Sequence, residues 1–131
     1  MGCMAVAIVR LGTARPRGEG VRIGTVRRPP RGVPKAEFAS RDFYDVWMPM
    51  LAPSETLVAL GQQAGDDKTW NAFVRKYRAE MKAPDCARLL DLLAALSHQT
   101  NLAVGCYCAD EQRCHRSVLR ALLVERGANL A

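Results

Sequence analysis

Residues 102–124 constrain this chain most. Leu102-Ala103-Val104-Gly105-Cys106 is a continuous apolar run of strand length. Val118-Leu119-Arg120-Ala121-Leu122-Leu123-Val124 repeats apolar residues at helical spacing. Only Tyr107 to Ser117 lies between them. A buried strand that feeds directly into a helix belongs to an α/β layered domain with a mostly parallel core sheet. Such junctions collect ligand sites. This one, Cys106-Tyr107-Cys108-Ala109-Asp110-Glu111-Gln112-Arg113-Cys114-His115-Arg116, carries three of the five cysteines and one of the two histidines.

The rest of the chain reads the same way. Residues 5–11 and 21–27 are short, β-branched and strand-like, and Gly12 to Gly20 forms a loop between them. Val21, Ile23 and Thr25 share one face. Phe43 to Trp47 is a third candidate strand. Four helices follow. Ser54 caps the first, Asp66 or Asp67 the second, and Asp85 the third. Trp70, Phe73, Tyr77 and Met81 repeat at helical spacing and are expected in the core. Gly127 closes the last helix. The strand from Leu102, which can run on to Cys108, is expected inside the sheet.

With 131 residues, 49% of them hydrophobic, the chain can bury a core as a single domain over residues 4–131. Met4 offers an alternative start, which would leave residues 1–3 outside the domain. No apolar run approaches the roughly 18 residues of a membrane helix. The first residues lack the features of a secretion signal, and Val6 breaks the myristoylation pattern. Five cysteines in a chain of this size point to reduced thiols and a cytoplasmic protein.

Charge is unevenly placed. Of a net +6, residues 10–41 carry +7: Arg10, Arg15, Arg17, Arg22, Arg27, Arg28, Arg31, Lys35 and Arg41 against Glu19 and Glu37. Such a block suits an anionic partner, either a small phosphate- or carboxylate-bearing ligand or nucleic acid. It also suits an arginine-rich surface with no partner.

Three kinds of chemistry compete at the 106–116 junction. Cys114 at the first turn of a helix, beside Arg113, His115 and Arg116, is expected to have a lowered pKa and is a candidate nucleophile; the alternative is a small core residue. His115 is the candidate acid/base and Asp110 the candidate orienting carboxylate. Asp110 and Glu111 serve equally well as helix caps or salt-bridge partners. The Cys-x5-Arg phosphatase signature is absent, since Cys114 follows six residues after Cys108. Cys106, Cys108, Cys114 and His115 are ligand types zinc accepts, but their spacing is not that of paired knuckles. Adjacent Cys114 and His115 would point about 100° apart on a helix. The chain is therefore expected to need no metal and no cofactor. The third chemistry is anion binding at the start of the last helix. If the loop Arg27-Arg28-Pro29-Pro30-Arg31-Gly32 meets that junction, then Arg27, Arg28, Arg31 and Arg116 become anion clamps.

Four segments occur in a distinctive order: Arg27-Arg28-Pro29-Pro30-Arg31-Gly32-Val33, Leu51-Ala52-Pro53-Ser54, the stretch Trp70 to Met81 with Phe73, Tyr77, Arg78 and Glu80, and Cys114-His115-Arg116. Together they resemble the domain of unknown function 488 family, over roughly residues 5 to 126. The resemblance implies a compact α/β domain in a bacterial cytoplasmic protein and brings no settled activity. Many relatives have Trp-Pro-Arg-Gly where this chain has Pro29-Pro30-Arg31-Gly32, so the aromatic partner of that loop is either missing or supplied by Trp47. Some have Asn-His at Cys114-His115, so a cysteine reaction is not implied for all of them.

Overall fold

The computed structural model describes residues 4–131; the expectation about residues 1–3 lies outside them. Four strands and four helices form: β1 (Val6–Arg10), β2 (Val21–Gly24), β3 (Val46–Trp47), α1 (Glu55–Gln62), α2 (Asp67–Glu80), α3 (Pro84–Leu96), β4 (Leu102–Cys106) and α4 (His115–Glu125). The sheet is wholly parallel, in the order β1-β4-β2-β3. β4 is therefore internal, as its apolar run predicts, and every residue in it is buried. It ends at Cys106, short of Cys108. β3 is only two residues long, because Phe43 and Tyr44 leave the strand path to cover the sheet.

Alternation along the strands separates two unlike faces. Val6, Ile8, Ile23, Leu102 and Val104 share one core with residues from all four helices, among them Leu57, Phe73, Tyr77, Leu90, Leu93 and Leu119. The other face carries small or unusual residues: Ala7, Ala103, Gly105, Arg22 and Gly24. No helix covers it. The loops after β1 and before β3 lie there, bringing Leu11, Phe38, Phe43 and Tyr44. Gly24 and Gly105 are register partners. A side-chain carbon at Gly24 would fall 2.4 Å from the Tyr44 ring, and one at Gly105 would fall 2.5 Å from the Val9 carbonyl oxygen. At Gly24 the covering loop can therefore approach only because there is no side chain, while Gly105 leaves room for its β1 neighbour and for Leu11.

Arg22 is the centre of that layer. It reads as part of a basic surface, but it is fully buried. Its guanidinium donates Nε and Nη2 to the two Glu19 carboxylate oxygens at 2.9 and 2.8 Å. Nη1 donates to the carbonyls of Thr13 and Asp42 at 2.8 and 2.7 Å. One side chain thus ties strand β2 to both covering loops. The Arg22 amide donates to Asp45 at 2.8 Å, and Asp45 also takes a bidentate pair of bonds from Arg15.

Helix ends follow local chemistry. Ser54 accepts from Leu57 N, and Asp66 from Thr69 N. Asp85 does not cap α3. Pro84 starts that helix, its missing N–H and preset φ suiting the first position, so Asp85 falls in the first turn. Gly127 takes φ +83° beyond α4, where the Ala128 amide reaches back to the Leu123 carbonyl. Residues 129–131 then return to the sheet. Leu130 bridges Val6 in parallel, with Val6 N donating to Asn129 O and Ala131 N to Val6 O.

Breaking the buried pair should be costly, because removing one partner leaves the other charge uncompensated in the interior. Glu19→Ala is expected to lower the unfolding free energy by about 3–5 kcal/mol in urea titrations. Arg17→Ala, at an exposed position in the same loop, should change it by less than about 0.5 kcal/mol.

Candidate functional site

The site grows from the carboxyl ends of β4 and β2. After Cys106 the chain turns through Tyr107 and Cys108, makes a short turn at Glu111–Arg113, and enters α4 at His115. After β2 it passes Thr25 and Val26 into the Arg27–Gly32 loop. The two loops touch: the Tyr107 hydroxyl donates to the Arg28 carbonyl at 2.9 Å. Trp47 donates its indole N–H to the Val26 carbonyl at 2.7 Å, just before this loop begins.

Between them lies an open cleft of about 610 Å³. Arg27, Arg28 and Arg31 line it on one side, Cys106, Tyr107, Cys108 and His115 on the other, and Glu55 and Gln62 of α1 close it. The arginines are not equivalent. Arg27 donates to the Ala52 and Pro53 carbonyls and holds α1's approach in place. Arg28 meets Glu55 at 2.5 Å in a solvent-exposed pair, which contributes little. Arg31 is exposed and makes no hydrogen bond or ion pair among the described residues.

Arg116 sits behind the cleft rather than in it. It is buried, one Nη donates to the Cys108 carbonyl at 2.6 Å, and its Nε has no partner among the described residues. Asp110 accepts from Gln112 N at 2.9 Å and so caps the short turn. Glu111 takes a bidentate pair of bonds from Arg120. Arg113 pairs with Asp67 and lies 5.7 Å above the Trp70 ring. The two neighbouring carboxylates and Arg113 therefore fasten the junction instead of facing the cleft.

His115 is buried at the base of the cleft wall, 9% exposed. Its Nε2 lies 2.8 Å from the Thr25 carbonyl oxygen, which can only accept. Nε2 must then carry the proton, which leaves the Nδ1 lone pair facing Cys114 Sγ at 3.7 Å. The Tyr77 ring packs edge-on at 5.6 Å. Burial pushes the imidazole down to about 4, so it is neutral at ordinary pH.

Three thiols converge here. Cys106 and Cys114 are buried with their sulfurs 2.7 Å apart, and with His115 their ligand atoms lie within 4.8 Å of one another. Cys108 is exposed at the mouth of the cleft. Hydrogen-bonding interactions with Cys106 and Cys114 hold the Cys108 thiol well below the ordinary range, helped by the positive charge of Arg116. The same interactions, with burial, push Cys106 up. Cys114, expected to be the activated thiol, is also pushed up: its contact with Cys106 lowers it, but Cys108 and burial outweigh that. Of the three thiols, the one nearest water is thus the one most readily ionised. The signal for Cys108 was its place two residues beyond a buried strand, where the chain must surface. Thr25, the partner that sets the His115 tautomer, had no signal in the sequence.

The neutral, buried histidine has a consequence for stability. Its folded pKa lies below the unfolded value of about 6.5, so the unfolded state takes up the proton first. The contribution is complete above about pH 6.5 and is lost as pH falls toward 4, to a total of about 3 kcal/mol. Urea titrations across that range should show wild type losing this stability and His115→Gln losing far less.

A family model described as the active DUF488-N3 subclade matches residues 6–127. No curated protein and no solved structure matches the chain. The match runs from the first strand past the end of α4 and takes in both cleft loops and the thiol cluster. The chain belongs to the DUF488 family, in its N3 subclade.

Proposed function

We propose that the chain binds a small phosphate- or carboxylate-bearing ligand in the cleft between the Arg27–Gly32 loop and the Cys106–His115 junction. The observation that carries this reading is the single concave space lined by both loops, with Arg31 free and Arg28 held only by a surface pair. A concave space with convergent cations suits a small anion. The apolar wall from Val26, Ala52, Pro53, Val58 and Ala59 accommodates the body of an organic ligand. The cleft also holds an activated thiol, Cys108, which gives a bound ligand a nucleophile. The subclade's description as active accords with turnover there.

Nucleic-acid binding by the 10–41 block receives less support. Arg22 is sealed in the core, Arg15, Arg28 and Arg41 face carboxylates, and Arg10 and Arg27 donate to backbone carbonyls. What is left is too sparse for a broad basic face.

Anions should therefore stabilise the fold by mass action. At a hundredfold excess over Kd, phosphate or citrate is expected to add about 2.7 kcal/mol, a shift of several degrees in Tm. Arg31→Ala should remove most of that shift and Cys108→Ser should keep it. Absence of any anion effect sinks the reading. Salt-sensitive DNA or RNA binding, weakened alike by Arg17→Ala and Lys35→Ala, would favour the alternative.

A further inference from the structure

Anion binding uses none of the three clustered thiols, yet their arrangement is specific. Two sulfurs are buried and 2.7 Å apart, and a third, two residues beyond Cys106, stands exposed and faces the arginine-lined cleft. A disulfide bond is about 2 Å long, so the buried pair must close by about 0.7 Å to form one. Two thiolates on one zinc ion, each about 2.3 Å from the metal, lie about 3.8 Å apart in a tetrahedral site. The pair would have to open by about 1 Å for that. The spacing favours a covalent bond between the sulfurs over a metal between them. Cys106 and Cys114 are only 2% and 3% exposed, so a substrate entering the cleft meets the exposed Cys108 first.

We propose that Cys106, Cys108 and Cys114 form a thiol–disulfide exchange centre that reduces a small carboxylate-bearing disulfide, with Cys108 as entry point and the Cys106–Cys114 pair as electron source. The carboxylates are the part that rests on the anion-binding reading, because Arg28 and Arg31 would hold them.

The chemistry balances in three displacements. The Cys108 thiolate attacks one sulfur of the bound disulfide. The S–S bond breaks, a bond to Cys108 forms, and one small thiolate leaves. Cys114 then attacks Cys108 Sγ and expels the second small thiolate, which leaves a Cys108–Cys114 bond. Cys106, already against Cys114, displaces Cys108 in turn. The product is a buried Cys106–Cys114 disulfide with the Cys108 thiolate restored. Two electrons pass from the buried thiols to the substrate, and their two protons go to the released thiolates. Cys108 suits the first step because its thiolate is stabilised, and it suits the last as the leaving group for the same reason.

The test uses the reduced full chain with two probes, oxidised glutathione and the uncharged bis(2-hydroxyethyl) disulfide, followed by intact mass and peptide mapping. Wild type should lose two hydrogens with oxidised glutathione, with the new bond mapped between Cys106 and Cys114 and Cys108 still open to alkylation. Cys108→Ser, a substitution at an exposed position, should slow this by at least about tenfold while its Tm stays near wild type. Cys114→Ser should accumulate the mixed disulfide on Cys108. Arg31→Ala should slow the charged probe and leave the uncharged one alone. Oxidation of Cys108→Ser at the wild-type rate would overturn the proposal, as would a bond ending at Cys86 or stoichiometric zinc on the purified chain. If both probes react equally through Cys108, exchange stands and the anion reading fails. If phosphate stabilises the fold but neither disulfide reacts, the anion reading stands and exchange fails.

Discussion

The Arg22–Glu19 pair is the interaction on which the arrangement depends. A parallel sheet normally gains cover on both faces from crossover helices. Here β1 passes to β2 through a ten-residue loop with no helix, and that loop must itself become the second layer. Loops carry backbone polar groups that a buried position leaves unpaired. Arg22 resolves this by donating to carbonyls of both covering loops while Glu19 balances its charge. Replacing such a pair by apolar groups is often tolerated elsewhere. Here an apolar side chain would leave the Thr13 and Asp42 carbonyls without that donor. The bonds also hold β2 firmly, and β2 leads three residues later to the Thr25 carbonyl that sets the His115 tautomer.

At the other end of the sheet, crowding does the chemical work. Two buried thiols, an exposed one and a neutral imidazole lie close together. The thiol with most water around it, Cys108, is the one held below the ordinary range, while Cys106 and Cys114 are pushed up. Arg116, buried with an unpartnered Nε, supplies positive potential from behind without occupying the cleft. The arginines in front are left to face whatever enters. Cations thus sit at two depths: Arg116 buried behind the thiols, and the exposed Arg28 and Arg31 along the cleft.

Much of this was legible in the sequence. The apolar run at Leu102 predicts an internal strand, and Ser54, Asp66 and Gly127 mark helix ends, because each signal is local and physical. The meeting of the two arginine- and cysteine-bearing loops follows from parallel topology alone. What was not legible required three dimensions. Arg22 looks like its neighbours in a basic stretch, since nothing local announces a carboxylate and two carbonyls waiting around it. The Cys114 thiol has the right flanks for activation, but its flanks do not report burial or two competing sulfurs. β3 is nearly absent because Phe43 and Tyr44, good strand formers, are worth more as a lid over paired glycines. Asp110 and Glu111 read equally as catalysts or fasteners, and only partners 2 to 9 residues away decided the matter.

The bridge between Leu130 and Val6 bears on how molecules of this chain meet one another. β1 is an edge strand of five residues, long enough to template pairing with a foreign strand. Residues 129–131 lie along it and take up the amide and carbonyl of Val6. The opposite edge, β3, offers only two residues. Both margins of the sheet are thereby shortened to less than a strand's useful length. Three residues that touch no part of the cleft thus occupy part of the edge that another strand would need for pairing.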